Sequence, residues 1–95
     1  MSEKRQLEWS LRSQKNVAEI RDYIAVDNPH AARKVLVAIR RAADGLIDFP
    51  MIGHFGRRAG TRELVINRYP YVIIYKLVAK KVLVAAVLHQ SRKHP

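Results

Sequence analysis

The chain has 95 residues, no cysteine, and 18 Lys+Arg against 8 Asp+Glu, a formal charge of +10. That length makes one domain with one modest core. The missing cysteines exclude disulfides and thiolate metal sites, and no apolar run reaches the roughly 18 residues of a membrane span. So large a surplus implies an acidic partner, nucleic acid or protein, because solubility alone needs only about 2–8 charges on a small domain.

The hydrophobic fraction of 48%, with four Gly and four Pro, is that of a folded domain. The start, MSEKRQ, lacks the apolar core of a signal peptide, and the absence of cysteine makes a reducing cytoplasm the expected setting, with no membrane partner. The charged residues 1–5 should fray. Gln6–Leu11 alternates, with Leu7, Trp9 and Leu11 on one side, and predicts a strand whose Trp9 anchors the core.

Ser13 is a candidate cap for a helix from Gln14 to about Asp27, with Val17, Ile20 and Ile24 on its apolar face. Asn28-Pro29 then stops that helix and starts another, Asn28 as cap and Pro29 in the first turn. The second helix is predicted over His30–Ile47. Ala32, Val35, Leu36, Ile39, Ala42, Ala43 and Leu46 form its stripe, with Arg33, Lys34, Arg40 and Arg41 off it. With almost nothing between them, the two helices form a hairpin.

Residues 48–61 read as the one long connection, rich in glycine and carrying His54, Arg57 and Arg58. Three strands rich in Val, Ile, Leu and Tyr follow: Arg62–Asn67, Tyr71–Val78 and Lys81–His89, the last two joined by a tight turn at Ala79-Lys80. The fold class is therefore α+β in the order β-α-α-β-β-β. Strand one runs up, helix one down and helix two up, so the next strand runs down beside strand one. An antiparallel sheet with the hairpin packed on one face satisfies this.

This order resembles the RelE/ParE superfamily of type II toxin–antitoxin modules. The phrases that carry the likeness are Gly56-Arg57-Arg58 with Gly60–Ile66, then Tyr69–Tyr75, then Val87–Arg92. The resemblance spans nearly the whole chain. It implies a small basic toxin neutralised by a cognate antitoxin that lays a partly disordered segment over it. An acidic, helix-prone C-terminal segment would match the charge. The superfamily holds two mechanisms: ParE-like members bind and poison DNA gyrase, and RelE-like members cut mRNA on the ribosome.

Metal-independent RNA cleavage needs a general base, a general acid and cations for the developing charge. His89 is the best proton-transfer candidate, as its intrinsic pKa lies near neutrality. Arg57, Arg58 and Arg62 could clamp phosphate, and Tyr69 or Tyr71 could stack a base. Read as a binding protein, the chain would use Arg57, Arg58, Arg62, Tyr71 and Arg92 for its target. The antitoxin would meet Arg33, Arg40 and Arg41 beside helix two, near a sheet edge. No Tyr follows Tyr75, and the ending VLHQSRKHP is closer to ParE-like proteins, so the gyrase reading leads and RNA cleavage is the alternative. A plain nucleic-acid-binding module would need its basic residues gathered on one surface, whereas here they are spread along the chain. No metal constellation, cofactor motif or nucleophile triad is present.

Overall fold

Ser10, at the end of the first strand, starts the helical hairpin. Its Oγ accepts from the Ser13 N–H at 3.0 Å, and Ser13 Oγ donates back to the Ser10 carbonyl at 2.8 Å. The computed structural model, which describes residues 5–92, thus has strand β1 at Gln6–Trp9 and helix α1 at Leu11–Ala25. The helix begins a turn before the expected Ser13 cap. The reason is tertiary: Ser10 also donates from Oγ to the Ala85 carbonyl (2.9 Å) and from its N–H to the Val84 carbonyl (3.0 Å). Ser13 is instead buried inside the first turn. Of the N-terminal residues expected to fray, only Arg5 lies among the described ones, and its Nη1 donates to the Ala79 carbonyl at 2.7 Å.

Asn28 caps the second helix as expected, its Oδ1 accepting from the Ala31 N–H at 3.1 Å with Pro29 in the first turn. Helix α2 runs Pro29–Asp48 and buries Ala32, Val35, Ile39, Ala43 and Leu46. It has 20 residues to the 15 of α1, about 30 Å against about 22 Å, so α1 cannot cover its whole stripe.

The chain then forms a two-residue strand, β2 (His54–Phe55), followed by β3 (Thr61–Val65), β4 (Tyr71–Val78) and β5 (Lys81–His89). The sheet order is β1-β5-β4-β3-β2. The α+β class holds, but the sheet is mixed, not antiparallel throughout: β1 pairs in parallel with β5, while β2–β3, β3–β4 and β4–β5 are antiparallel. The short β2 explains the difference. The strand that comes down after α2 is β2, so every later strand runs opposite to its expected direction. β5 then takes the place beside β1.

The core lies between the hairpin and the sheet face bearing Tyr71, Ile73, Tyr75, Val82, Val84 and Val87, with Leu7 and Trp9 packed against it. The β4–β5 register shifts between Ile74 and Tyr75, leaving Ala85 without a partner on β4. This bulge frees the carbonyl that Ser10 uses, and Asn16 Oδ1 on α1 accepts from the nearby Val87 N–H at 3.1 Å. The N-terminal half of α1 is thereby fastened to β5, which fixes where the helices sit over the sheet.

Candidate functional site

Three surface features follow from this packing. The first is a groove of about 850 Å³ between α1, α2 and β1. Leu7, Trp9, Val17, Leu36, Val37 and Ile39 give it an apolar lining, and Arg21, Arg33 and Arg40 add guanidinium groups. It exists because α2 carries more apolar surface than α1 can hide. Arg33 and Arg40 are seven residues apart, close to two helical turns, so they share a stripe beside the groove. Arg41 lies a further 100° round the helix and does not line it. β1 ends the sheet on this side, and no strand besides β5 pairs with it among the described residues.

The second is a cleft of about 510 Å³ between α1 and the far end of β5, lined by Asn16, Glu19, Tyr23, Tyr71, His89 and Ser91 among others. Cross-strand pairing puts Tyr71 opposite His89, and their rings meet edge to face at 83° with centroids 5.6 Å apart. His89 Nδ1 accepts from the Ser91 N–H at 3.2 Å, with Ser91 Oγ also 2.8 Å away, so neutral His89 carries its proton on Nε2. Burial, and then the neighbouring Tyr23 phenol, hold Tyr71 above the usual phenol value, so it stays a neutral hydrogen-bond donor. The 3₁₀ turn Gln90–Arg92 follows, its first N–H donating to the Pro70 carbonyl at 2.8 Å, so Arg92 belongs to this end of the sheet.

The cleft offers one imidazole, two phenols and one carboxylate. No Lys or Arg appears among its described lining residues. A cleaved phosphodiester builds negative charge on its oxygens, and such charge needs cations or oriented donors aimed at it.

The third feature is the loop around β2. Arg57 and Arg58 are exposed in the turn between β2 and β3. Arg62 lies half-buried on β3, and Nη1 donates to the carbonyls of Gly53 (2.7 Å) and Met51 (3.2 Å). Its Cζ sits 4.6 Å from the Phe55 ring centroid. Tyr75, fully buried, reaches the same loop: its hydroxyl accepts from the Gly53 N–H at 2.9 Å and donates to the Pro50 carbonyl at 2.8 Å. A Cβ on Gly53 would fall 2.6 Å from that hydroxyl and 2.8 Å from the Glu63 carbonyl, so the position needs glycine.

The candidate residues therefore do not form one cluster. Arg62 pairs with Tyr75 and Tyr71 with His89, so the two groups are separated along β4 by four residues, about 13 Å, as well as across strands. His89, Tyr71 and the turn holding Arg92 meet at one end. Arg57, Arg58 and Arg62 lie at the other. Tyr75 and Gly53, which hold the loop, were not among the expected functional residues; a Tyr–Gly pair 22 residues apart gives no local signal.

The ParE toxin family of type II toxin–antitoxin systems (parDE) matches residues 7–94. The chain belongs to that family. Two relatives agree. Over 95 residues it is 39% identical to Y4kP of Sinorhizobium fredii, covering 100% of this chain and 97% of that protein. Over 87 residues it is 34% identical to toxin RelE2 of Caulobacter vibrioides, covering 92% and 97%. The structure of a chromosomal ParDE system from P. aeruginosa superposes with a TM-score of 0.82 over 93% of this chain and 98% of that one, at 20% identity, a likeness of fold. The RelE/ParE membership that the strand phrases suggested thus holds, and this ParE-family chain works within a toxin–antitoxin module, opposite an antitoxin. Among the described residues no helix is long and apolar enough to cross a membrane.

Proposed function

We propose that this ParE-family toxin arrests growth by binding and poisoning DNA gyrase, without hydrolysing RNA. An antitoxin holds it in check by laying an acidic, helix-prone C-terminal segment in the groove beside α2. The observation that carries the mechanism is the lining of the His89 cleft. The best proton-transfer candidate, His89, sits with a carboxylate and two phenols, while Arg57, Arg58 and Arg62 stand at the other end of the sheet. A binding protein has no need to gather these groups, whereas a ribonuclease does. The groove suits the antitoxin segment because it joins an apolar lining to Arg33 and Arg40.

Ribosome-dependent mRNA cleavage is the second reading, favoured by the likeness to a protein named RelE2 and by the His89–Tyr71 contact. The two separate cleanly. Purified gyrase should lose supercoiling activity in the presence of the chain while ribosome-bound mRNA stays intact, and His89→Gln should change growth arrest by less than threefold. General acid–base help is worth about 10²–10⁴-fold. Codon-register cuts in mRNA that vanish with His89→Gln would therefore overturn the gyrase reading.

A further inference from the structure

Between residues 49 and 55 four large apolar side chains stand in solvent: Phe49, Met51, Ile52 and Phe55, exposed by 66%, 60%, 64% and 80%. Leaving such groups in water forgoes about 25 cal/mol for every Å² that could be buried, so a slack loop would fold them in. This loop cannot. Tyr75 holds Pro50 and Gly53 from below, and Arg62 holds the carbonyls of Met51 and Gly53. The backbone is pinned while the side chains are turned outward, which presents an apolar ridge whose backbone needs no ordering on binding.

Charge narrows what the ridge fits. From Phe49 to Arg62 the chain carries Arg57, Arg58 and Arg62 and no carboxylate. With Arg62 held by carbonyls, Arg57 and Arg58 are left to face a partner. We propose that this ridge is the surface by which the toxin engages its target, a protein presenting an apolar cleft rimmed by carboxylates. The inference rests on the reading of the chain as a binding poison. A nucleic acid would use the two arginines and leave Phe49, Met51 and Ile52 in water. A second copy would set Arg57 and Arg58 against their own kind. The antitoxin groove lies at the β1 edge, four strand spacings or roughly 19 Å from β2. An antitoxin seated there leaves the ridge uncovered, so it neutralises by hindering the target's approach, not by competing for these side chains.

Two double variants test this: Ile52→Ser with Phe55→Ser, and Arg57→Glu with Arg58→Glu. All four side chains are exposed, and thermal unfolding checks that each variant is folded. Both should need at least about tenfold more protein to arrest growth, because a few central contacts carry most binding energy. Affinity for the co-encoded antitoxin should stay within about twofold. Full arrest by folded variants overturns the proposal. So does an equal loss of antitoxin affinity, which would give the ridge to the antitoxin. A dimer of the native chain that the variants dissolve, seen by sedimentation, would give it to a second copy. Binding to purified gyrase is measured in parallel. If the native chain arrests growth but does not bind gyrase, the gyrase reading falls, and loss of arrest in the variants still upholds the ridge. A native chain that arrests nothing overturns both.

Discussion

The pinned loop makes a sharp prediction about Tyr75→Phe. The substitution keeps the ring in the core and removes only the hydroxyl. That hydroxyl satisfies two backbone groups, the Gly53 N–H and the Pro50 carbonyl. Gly53 is buried, so its N–H loses its partner with no water to replace it; Pro50 is half-buried, and its carbonyl can be partly rehydrated. An orphaned buried group costs about 1–3 kcal/mol, so the loss should be about 2 kcal/mol. In a domain of this size each 1 kcal/mol moves the midpoint by about 4–8 °C, giving a fall of roughly 10 °C. Tyr23→Phe, at an exposed position, is the control and should stay within about 0.5 kcal/mol. Amide exchange at Gly53 should accelerate by about thirtyfold, the same 2 kcal/mol expressed as a local opening. A midpoint within 2 °C of native, with exchange at Gly53 unchanged, would refute the reasoning and leave Arg62 alone to hold the loop.

Other outcomes are expected at the groove and at the cleft. Reversing Arg33 and Arg40 to Glu should slow antitoxin association and flatten its salt dependence, while Arg41→Glu should do less; stopped-flow association at two salt concentrations checks both, and equal effects would move the interface off the groove. Because Tyr71 is held above its ordinary value of 10.0, the folded chain keeps this proton after the unfolded chain has lost its own. Its contribution to stability is therefore intact below pH 10 and declines as the pH rises through the window up to its folded value. Tyr71→Phe should make the urea midpoint fall less steeply across that window, and an unchanged slope would place the titration elsewhere.

What the sequence made legible follows from how local each signal is. Tyr71–Val78 and Lys81–His89 match the expected strands end to end, because eight or nine residues rich in Val, Ile, Leu and Tyr, divided by a tight turn at Ala79-Lys80, leave little choice of boundary. Asn28 was readable as a cap because its partner, Ala31, lies within one turn. β2 was not readable: two exposed residues show no alternation, and the strand exists only through its pairing with Glu63 and Arg62. That single omission reversed the inferred direction of the three strands after it. The choice between Ser10 and Ser13 as cap was likewise settled from afar, by carbonyls on β5 some 75 residues later. Arg41 looked equivalent to Arg33 and Arg40 by composition, but it lies about 100° further round α2 and falls outside the groove.

The same distinction bears on mechanism. Arg57, Arg58, Arg62, Tyr71, His89 and Arg92 look like one functional set when ranked by chemistry, because each is a residue type that handles phosphate, protons or a nucleobase. Register divides them. Thr61 faces Lys76 and Tyr71 faces His89, so β3 begins near one end of β4 while β5 ends at the other. Bringing Arg57 or Arg58 to His89 would require sliding β3 along β4 by several residues. Tyr75 opposes this, because its hydroxyl ties β4 to the loop that leads into β2, and Arg62 ties β3 to that same loop. The contacts that present the apolar ridge are therefore also the contacts that keep Arg57 and Arg58 away from the imidazole. The separation of Arg57, Arg58 and Arg62 from His89, with no Lys or Arg among the described lining residues of the cleft, is what favours the proposed binding surface over cleavage of RNA.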